Sequence, residues 1–447
     1  MLIKFKVANF RSIAAEQTFT LVAGADDAQH PRNLIPCSGY SLLKSAAIYG
    51  ANASGKSSLI NAFRVVRNFV NQSATRMSRG DTLSDMIPFR LMKETQNQPS
   101  SFEVSVLLES QIFRYGFTAS SNRVHHEWLF VANENDEEEC WFNREHQSGE
   151  KQALIELKDD FQLYKPLLES VTRENGLLLA VGSMLNISQF DPLIFWFKSG
   201  IRIIDLSRSP LGLKEQTARR FEKDSKFRAR ILGMMQDADF AIKDLTVEID
   251  APVEIDASEK EEEQQLSASE TQMIDSAQTG VSPARSSRFS FNRPRIRTQH
   301  QRIDSEEYED FDFDTEESNG TQRFFSIAGP ILDALDNGGL LIVDELDCSM
   351  HSLLTFKLIQ FFQRGTEAPS GAQFIFSTHD IQLLDPALLR RDQMWFAAKN
   401  RGASEFYSHH DIEEDELPLE RETLQRNYMA GLYGGAPLFG PTFEDLE

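Results

Sequence analysis

Cysteine is scarce in this sequence, with only three among 447 residues. Cys37, Cys140 and Cys348 lack the close spacing of metal-ligand cysteines, so no zinc site of that kind is expected. An odd number of cysteines also argues against a disulfide framework. Sparse thiols are typical of a reducing compartment, and we therefore expect a cytoplasmic protein.

Long hydrophobic runs are missing as well. The most apolar window, residues 176–197, is interrupted by five polar or helix-breaking residues, which are Asn186, Ser188, Gln189, Asp191 and Pro192. Such a window does not fit a membrane span. The N-terminus lacks the positive, apolar and small-residue pattern of a signal peptide. We expect no attachment to a membrane.

Positively charged residues are outnumbered by negatively charged ones, and the formal net charge is −22. Such a field repels nucleic acid, so any binding requires a local basic patch. One candidate patch contains six arginines without an intervening acid: Arg285, Arg288, Arg293, Arg295, Arg297 and Arg302. Phe289 and Phe291 lie among them, as in segments that stack on single-stranded bases. Alternatively, this is a disordered loop whose arginines neutralise the acidic residues 304–317.

One stretch carries a specific chemical pattern. Residues 50–57 read Gly-Ala-Asn-Ala-Ser-Gly-Lys-Ser and match G-x-x-x-x-G-K-S, between a predicted strand and a predicted helix. Its glycines let backbone N–H groups wrap around phosphate oxygens, and the helix N-terminus favours the same anion. The pattern predicts a nucleotide site formed by Gly50, Ala51, Asn52, Ala53, Ser54, Gly55, Lys56, Ser57 and Ser58.

The side chains that close this loop suit ATP and Mg²⁺. Lys56 would reach the β and γ phosphates, and the Ser57 hydroxyl would ligate the metal. Arg11 lies in a turn between two predicted N-terminal strands. It is either a solvated turn residue or a group that reaches the nucleotide.

Polar residues follow two buried strands late in the sequence. Residues 340–345 read Leu-Leu-Ile-Val-Asp-Glu, where Asp344 suits Mg²⁺ and Glu345 suits polarisation of an attacking water. His379 follows a second apolar strand and is either a core histidine or part of the same site. Upstream, Ser318 and Gly320 precede a predicted helix and would form a second anion-binding cap.

In this order, the four elements resemble the phosphate loop, signature, Walker B motif with D-loop, and switch histidine of ABC-type ATPases. The run Asn-Phe-Arg-Ser-Ile at residues 9–13 and the short signature resemble the branch with SMC heads, RecF-like proteins and OLD-like ATPases. The whole chain resembles bacterial AAA-type ATP-binding proteins of phage-defence and abortive-infection operons. Two features depart from the pattern: the signature reads Ser-Asn-Gly-Thr-Gln, and no Q-loop glutamine is assignable.

The resemblance implies an ATPase with a composite site between two subunits. Catalytic Lys56, Glu345 and His379 of one subunit, with Ser57 and Asp344 on the metal, would face Ser318, Gly320 and the Asp347 loop of another. A homo-oligomer would then bind ATP completely only when two heads close. The implied role is a sensor in antiviral defence that regulates a separately encoded effector, a nuclease or toxin.

Two other functions remain open. The chain could be a DNA-repair or recombination ATPase that acts on DNA directly, or a scaffold that binds ATP without hydrolysing it. The absence of sustained heptads between residues 56 and 344 favours a compact switch over a chromosome-tethering protein. Residues 380–447 are too few for a further catalytic domain of the OLD type.

The expected fold is α/β, an ABC-type ATPase head with a mixed sheet, a phosphate-loop helix and an N-terminal antiparallel β subdomain. We expect residues 1–130 to form the N-terminal lobe and residues 131–255 a mainly helical insertion. Residues 256–317 are expected to be a disordered acidic and basic loop. Residues 318–447 would form the C-terminal lobe with the signature, Walker B motif, D-loop and switch histidine.

Overall fold

The structure is a computed structural model that describes residues 1–24, 30–37, 39–132, 137–147, 153–207, 211–238, 240–249, 294–364, 371–412 and 420–435. It divides into two compact units. The first comprises Met1–Pro210 and Ile327–Glu447, and the second comprises Leu211–Ser326.

The described strands and helices are numbered here in chain order. The strands are β1 (Leu2–Ala8), β2 (Gln17–Thr20), β3 (Leu34–Pro36), β4 (Ser41–Leu43), β5 (Ser45–Tyr49), β6 (Ser100–Leu108), β7 (Gln111–Ala119), β8 (Val124–Ala132), β9 (Glu138–Glu145), β10 (Leu154–Leu157), β11 (Ile201–Asp205), β12 (Ile242–Glu248), β13 (Arg295–Gln301), β14 (Tyr308–Asp312), β15 (Leu340–Asp344), β16 (Gln373–Thr378), β17 (Met394–Asn400) and β18 (Ala403–Ser408). The helices are α1 (Lys56–Gln72), α2 (Lys93–Gln96), α3 (Lys165–Val171), α4 (Leu178–Met184), α5 (Asp191–Phe195), α6 (Leu211–Lys223), α7 (Ser225–Asp237), α8 (Asn319–Asn337), α9 (Ser352–Arg364) and α10 (Arg421–Met429).

A seven-stranded antiparallel sheet forms one layer of the first unit, in the order β10-β9-β8-β7-β6-β1-β2. Its strands follow from alternation in the sequence: in β1, Phe5 and Val7 are buried while Lys4 and Lys6 are partly exposed. Two hairpins form, β1 with β2 and β6 with β7, and the first of them contains the two predicted N-terminal strands. This sheet is the expected antiparallel β subdomain.

The second layer is a six-stranded mixed sheet in the order β11-β15-β16-β5-β17-β18. The first five strands are parallel, and β18 is antiparallel to β17. Strands β5, β15 and β16 are buried along their full length, as expected for parallel strands covered on both faces. Their carboxyl ends therefore meet at one edge, and α1 leaves β5 at that edge. The predicted α/β class, with a phosphate-loop helix on a mixed sheet, is confirmed.

The second unit combines α6 and α7 with the three-stranded antiparallel sheet β12-β13-β14 and the start of α8. The ring of Phe325 joins these elements, at 6.2 Å from Phe221 and 5.2 Å from Phe313 between centroids. Asp224 starts α7, because its carboxylate accepts the N–H groups of Lys226 and Phe227. This unit thus has an aromatic core of its own.

The structure distributes residues 131–255 differently from a single helical insertion. Strands β8 to β10 extend the antiparallel sheet, and β11 joins the mixed sheet. Helices α3 to α5 belong to the first unit, while α6 and α7 belong to the second. Local helical periodicity identifies such segments but does not specify the sheet against which each one packs.

The expected irregular loop was assigned too far toward the C-terminus, because residues 295–301 and 308–312 form strands. Arginines conceal the alternation of β13, in which Ile296 and Thr298 are buried. Arg302 lies 3.3 Å from Glu307 and 2.8 Å from Glu309, as the charge-neutralising interpretation predicts. Residues 250–293 lie outside the described part, and they include Arg285, Arg288, Arg293, Phe289 and Phe291. None of the helices in the described ranges has the length and apolar character needed to cross a membrane.

Candidate nucleotide site

The phosphate loop, residues 50–55, connects β5 to α1. Gly55 has φ +115°, a left-handed conformation, and a Cβ there would collide with the side chain of Ser404. A Cβ at Gly50 would lie 2.7 Å from the carbonyl oxygen of Ala397. The backbone conformation therefore favours glycine at position 55, and the surrounding space favours glycine at both positions.

The middle of the loop leaves polar groups available. Asn52 and Ala53 are exposed, and the Ala53 carbonyl accepts a hydrogen bond of 3.0 Å from Lys399 Nζ. The Ser54 hydroxyl is buried and has no hydrogen-bond partner among the described residues. A polar atom left without a partner inside a loop of this shape is consistent with a ligand-binding role.

Lys56 is a buried cation at the start of α1, with only 5% of its surface exposed. Its Nζ donates to the carbonyls of Gly50, at 2.5 Å, and Ala51, at 3.1 Å. Burial lowers the pKa of Lys56 to about 8, although nearby Asp344 opposes this shift. Across the described ranges, no carboxylate lies within ion-pair distance of Nζ. A buried ammonium without a paired anion is costly, so this position suits an anionic ligand.

The carboxyl end of β15 contributes two acidic residues. Asp344 is 6% exposed and accepts a hydrogen bond of 2.5 Å from Ser377 Oγ. The same oxygen of Ser377 accepts the N–H of Glu345 at 2.8 Å. Glu345 has φ +54°, a left-handed conformation that costs a residue with a side chain about 1–3 kcal/mol. Ser377 therefore holds both the Asp344 carboxylate and the strained backbone of Glu345.

Ser377 was not selected from the sequence, although a serine inside an apolar strand next to His379 was a usable signal. Ser377→Ala is expected to lower ATP turnover roughly tenfold, because it frees the Asp344 carboxylate and the backbone of Glu345. The affinity for ATP should change much less, since Lys56 is untouched. Steady-state turnover and equilibrium titration measure the two effects.

The matched control for this change is Ser105→Ala, which removes another buried hydroxyl from the first unit. Ser105 Oγ has no hydrogen-bond partner in the described part of the chain, so its loss should leave turnover unaltered. Equal turnover in the Ser377 variant and the parent would contradict the positioning role.

His379 follows β16 and lies beside Lys56, with 3.5 Å between Nδ1 and Nζ. Its backbone N–H donates to the Asp347 carboxylate at 3.3 Å. Burial, followed by the charge of Lys56, lowers the pKa of His379, so the imidazole is neutral at pH 7. The structure thus places His379 close to Lys56, Asp344, Glu345 and Asp347.

Ser58 and Arg11 lie on the other side of the loop. Ser12 Oγ donates to Ser58 Oγ at 2.8 Å, and Ser404 Oγ lies 2.6 Å from the Ser54 carbonyl oxygen. Ser58 therefore ties the start of α1 to the N-terminal turn. Arg11, Ser12, Ser58 and Lys399 line a cavity of about 450 Å³ beside the loop, which is compatible with a contact between Arg11 and a nucleotide.

Asp205 was missed by the sequence reasoning. It ends β11 in parallel register with Asp344, and the next backbone N–H, of Leu206, donates to the Asp344 carbonyl at 3.1 Å. Ser207 donates its hydroxyl to Asp205 Oδ1 at 2.5 Å. The available signal was an apolar run that ends in an aspartate, the same pattern that marks β15.

A tyrosine cluster near the C-terminus was also missed. Tyr428 donates its hydroxyl to the Gly435 carbonyl at 3.1 Å, and the Tyr433 ring stacks on Phe396 at 4.9 Å. A Cβ at Gly435 would lie 3.5 Å from Gly50 Cα, so this segment packs against the phosphate loop. The run Tyr-Met-Ala-Gly-Leu-Tyr-Gly in the sequence was the signal, but its position depends on tertiary packing.

Ser318 and Gly320 belong to the second unit, at the start of α8. Ser318 Oγ accepts the N–H of Thr321 at 3.1 Å and therefore caps the helix, as predicted for a serine at this position. The preceding residue, Glu317, accepts a hydrogen bond of 2.5 Å from Thr298 Oγ1 and lies 2.7 Å from His300 Nε2. The cap is thus fixed to β13 within its own unit.

Oxygen ligands suited to Mg²⁺ are present at the loop. The Ser57 hydroxyl is exposed in the first turn of α1, and Asp344 Oδ2 has no hydrogen-bond partner among the described residues. In the same residues, no group of three or more His, Cys, Asp and Glu side chains could hold a metal alone. This donor set fits Mg²⁺, which usually takes one or two protein ligands and completes its shell with phosphate oxygens and water.

The fold and this arrangement of motifs define a phosphate-loop ATPase of the ABC/SMC-like class, and the predicted resemblance is confirmed. The chain belongs to the family described as "AAA domain, putative AbiEii toxin, Type IV TA system", which matches residues 45–385. None of the curated proteins matches the sequence.

Three solved structures are among those similar to this chain. The SMC head domain from Thermotoga maritima is 10% identical, with 92% of this chain and 99% of that chain covered and a TM-score of 0.41. The Smc head domain with a coiled coil and joint derived from Pyrococcus yayanosii is 10% identical, with 96% and 99% covered and a TM-score of 0.36. The recombination mediator RecF-ATPrS of the RecFOR pathway is 13% identical, with 91% and 98% covered and a TM-score of 0.31.

Proposed function

We propose that the chain binds ATP with Mg²⁺ at the phosphate loop and hydrolyses it when two chains associate head to head. The observation that carries the proposal is the buried Lys56 ammonium, which has carbonyl partners but no paired anion among the described residues. The β and γ phosphates of ATP would supply that anion. The backbone N–H groups at the start of α1 would bind the same phosphates.

The residues around Lys56 have separate roles in this proposal. Ser57 and Asp344 would hold Mg²⁺, which would neutralise charge on the phosphates. Glu345 orients the attacking water and accepts its proton, from a backbone fixed by Ser377. His379, kept neutral beside Lys56, donates a hydrogen bond to the γ phosphate without repelling Lys56.

The second chain would supply the signature. Ser318 and Gly320 lie at the start of a 19-residue helix, whose N-terminal N–H groups favour an anion. In the proposed dimer, this helix start contacts the γ phosphate held by the other chain's Lys56, and the Asp347 loop lies in the interface. ATP then acts as the link between the two heads.

Ser318→Arg is expected to leave ATP binding to a single chain intact while abolishing hydrolysis, because the added side chain prevents closure of the composite site to which that Ser318 contributes. Mixing Ser318→Arg with Lys56→Ala places both lesions in one composite site and leaves the other site whole. ATPase activity should therefore return on mixing, up to the statistical fraction of mixed dimers. Phosphate release measures the return.

Ser225→Arg is the matched control, since Ser225 is exposed at the start of another helix, α7, in the same unit. It should hydrolyse ATP like the parent. Full activity of Ser318→Arg alone would contradict the head-to-head model.

We further propose that ATP-dependent association regulates a separately encoded effector, a nuclease or toxin, in cytoplasmic antiviral defence. The family description names a putative toxin and a Type IV TA system, which supports a partner of this kind. The three cysteines are all free, which suits a reducing compartment. Expression together with the neighbouring operon products tests the proposal. A product of a neighbouring gene should copurify with the parent chain only when ATP is present. Copurification that is equal with and without ATP, and equal for the parent and Lys56→Ala, would overturn the proposal.

A further inference from the structure

The first unit contains a second polar cavity, of about 360 Å³, which shares no lining residue with the nucleotide site. It lies between the ends of β8 and β9 and the segment that follows α3. Its charged lining comprises four arginines and two glutamates: Arg79, Arg123, Arg144, Arg173, Glu169 and Glu174. An excess of positive charge in a cavity is unexpected in a chain whose net charge is −22.

One of the four arginines has a structural role. Arg144 is 4% exposed and lies 3.3 Å from the buried carboxylate of Glu127. Glu127 also accepts the N–H groups of Leu178 and Leu179, at 2.6 and 3.0 Å, and so caps α4. Arg144 and Glu127 therefore balance each other, and they form a rigid wall of the cavity.

The charges of two other arginines remain unbalanced. Arg123 lies 2.5 Å from Glu174, so that pair is neutral, and Glu169 is 3.9 Å from Lys165. Arg173 donates to the Met77 carbonyl, a neutral partner. Arg79 makes no hydrogen bond or ion pair with any residue that the structure describes. The cavity thus presents two guanidinium groups, on the exposed residues Arg79 and Arg173, that form no ion pair with any residue that the structure describes.

A buried hydroxyl gives a second indication of a ligand. Thr172 lines the cavity, and its Oγ1 has no hydrogen-bond partner in the described ranges. A buried polar atom without a partner is uncommon unless water or a ligand satisfies it. His146 also lines the cavity, where its Nε2 accepts a hydrogen bond from Arg123.

We propose that this cavity binds a phosphate group. Guanidinium groups match phosphate oxygens in paired hydrogen bonds, and a phosphate monoester carries up to two negative charges, enough for both Arg79 and Arg173. A single carboxylate would leave one of them unbalanced. The phosphate could belong to a free nucleotide or pyrophosphate, or to a nucleic-acid strand, and these sources share the same chemistry.

The test uses the full-length chain with Lys56→Ala, so that the phosphate loop does not compete for the probe. Pyrophosphate is titrated by calorimetry, and a 3′-labelled single-stranded oligonucleotide, with or without a 5′ phosphate, is titrated by fluorescence anisotropy. Arg79→Ala is expected to weaken binding of the phosphate-bearing probe roughly tenfold. Thr172→Val should weaken it as well, by a smaller factor.

Arg76→Ala is the matched control, because Arg76 is an exposed arginine of the same loop that does not line the cavity. It should bind the probes like its parent. Arg79-dependent binding of pyrophosphate alone identifies a free phosphate ligand, whereas Arg79-dependent binding of the oligonucleotide identifies a strand. Equal losses in Arg76→Ala and Arg79→Ala, or no binding of any probe, would overturn the proposal. The ATPase proposal is unaffected by either outcome.

Discussion

Lys56→Ala is expected to eliminate measurable ATP binding while leaving the fold intact. The ammonium is buried beside Asp344 and His379, and burial lowers its pKa to about 8. A bound phosphate would raise this pKa again and give the ammonium the anion that the described residues do not provide. Truncating one partner of such a buried charge pair costs roughly 2–5 kcal/mol, which removes most of the affinity for a nucleotide.

The shape of the loop does not depend on the Lys56 side chain. Gly55 permits the left-handed backbone conformation of the loop. The absence of a Cβ at Gly50 and Gly55 permits their close contacts with Ala397 and Ser404, respectively. The variant should therefore fold normally, and it should even gain stability, because it loses an unpaired buried charge. Thermal unfolding with and without ATP measures both effects, since ATP should raise the midpoint of the parent but not that of the variant.

Lys44→Ala is the matched control for this prediction. Lys44 is another lysine whose pKa is lowered by burial, but it precedes β5, at the opposite end of the strand from Gly50. It should bind ATP like the parent. Undiminished ATP binding in Lys56→Ala would contradict the assignment of the phosphate loop, whatever the control shows.

The sequence predicts those parts of the site whose residues are contiguous in the chain. The phosphate loop is recognisable in the sequence because the glycines, the lysine and the helix start are local requirements of phosphate binding. Asp344 is recognisable because a fully apolar strand that ends in carboxylates is a poor core element. His379 follows another such strand, and the parallel order of β5, β16 and β15 then brings all three strand ends to one edge.

The parts that it does not predict depend on packing between distant segments. Ser377 contacts Asp344 and Glu345 because of the register between β15 and β16. Asp205 lies beside Asp344 because β11 pairs with β15. Tyr428 reaches the loop only because the chain returns from α10 to Gly50. Strand β13 was hidden because its exposed positions carry arginines, which composition alone associates with irregular segments.

Glu345 is predicted in part by the sequence, but its conformation depends on contacts between distant segments. Its identity is apparent from the sequence, whereas its left-handed backbone and the hydrogen bond from its N–H to Ser377 are visible only in the structure. Strain of this kind persists only where the surroundings fix the conformation. The arrangement is consistent with a carboxylate that must be held in one place to orient a water molecule.

Glu345→Gln is therefore expected to retain ATP binding and to lose turnover by roughly two orders of magnitude or more. Glutamine has the same shape but does not accept the proton of the attacking water. The backbone bond to Ser377 survives, so the strained turn should stay in place. ATP would then persist between the two heads, and the variant should accumulate as closed dimers, which sedimentation with and without ATP would detect.

Glu405→Gln is the matched control, because Glu405 is an exposed glutamate on β18, the far edge of the same sheet. It should hydrolyse ATP and dimerise like the parent. If Glu345→Gln hydrolyses ATP at the parental rate, the proton acceptor lies elsewhere. His379 then becomes the next candidate, since its neutral imidazole lies beside Lys56 and can accept a proton. A closed dimer without loss of turnover would instead separate association from hydrolysis and exclude Glu345 as the proton acceptor.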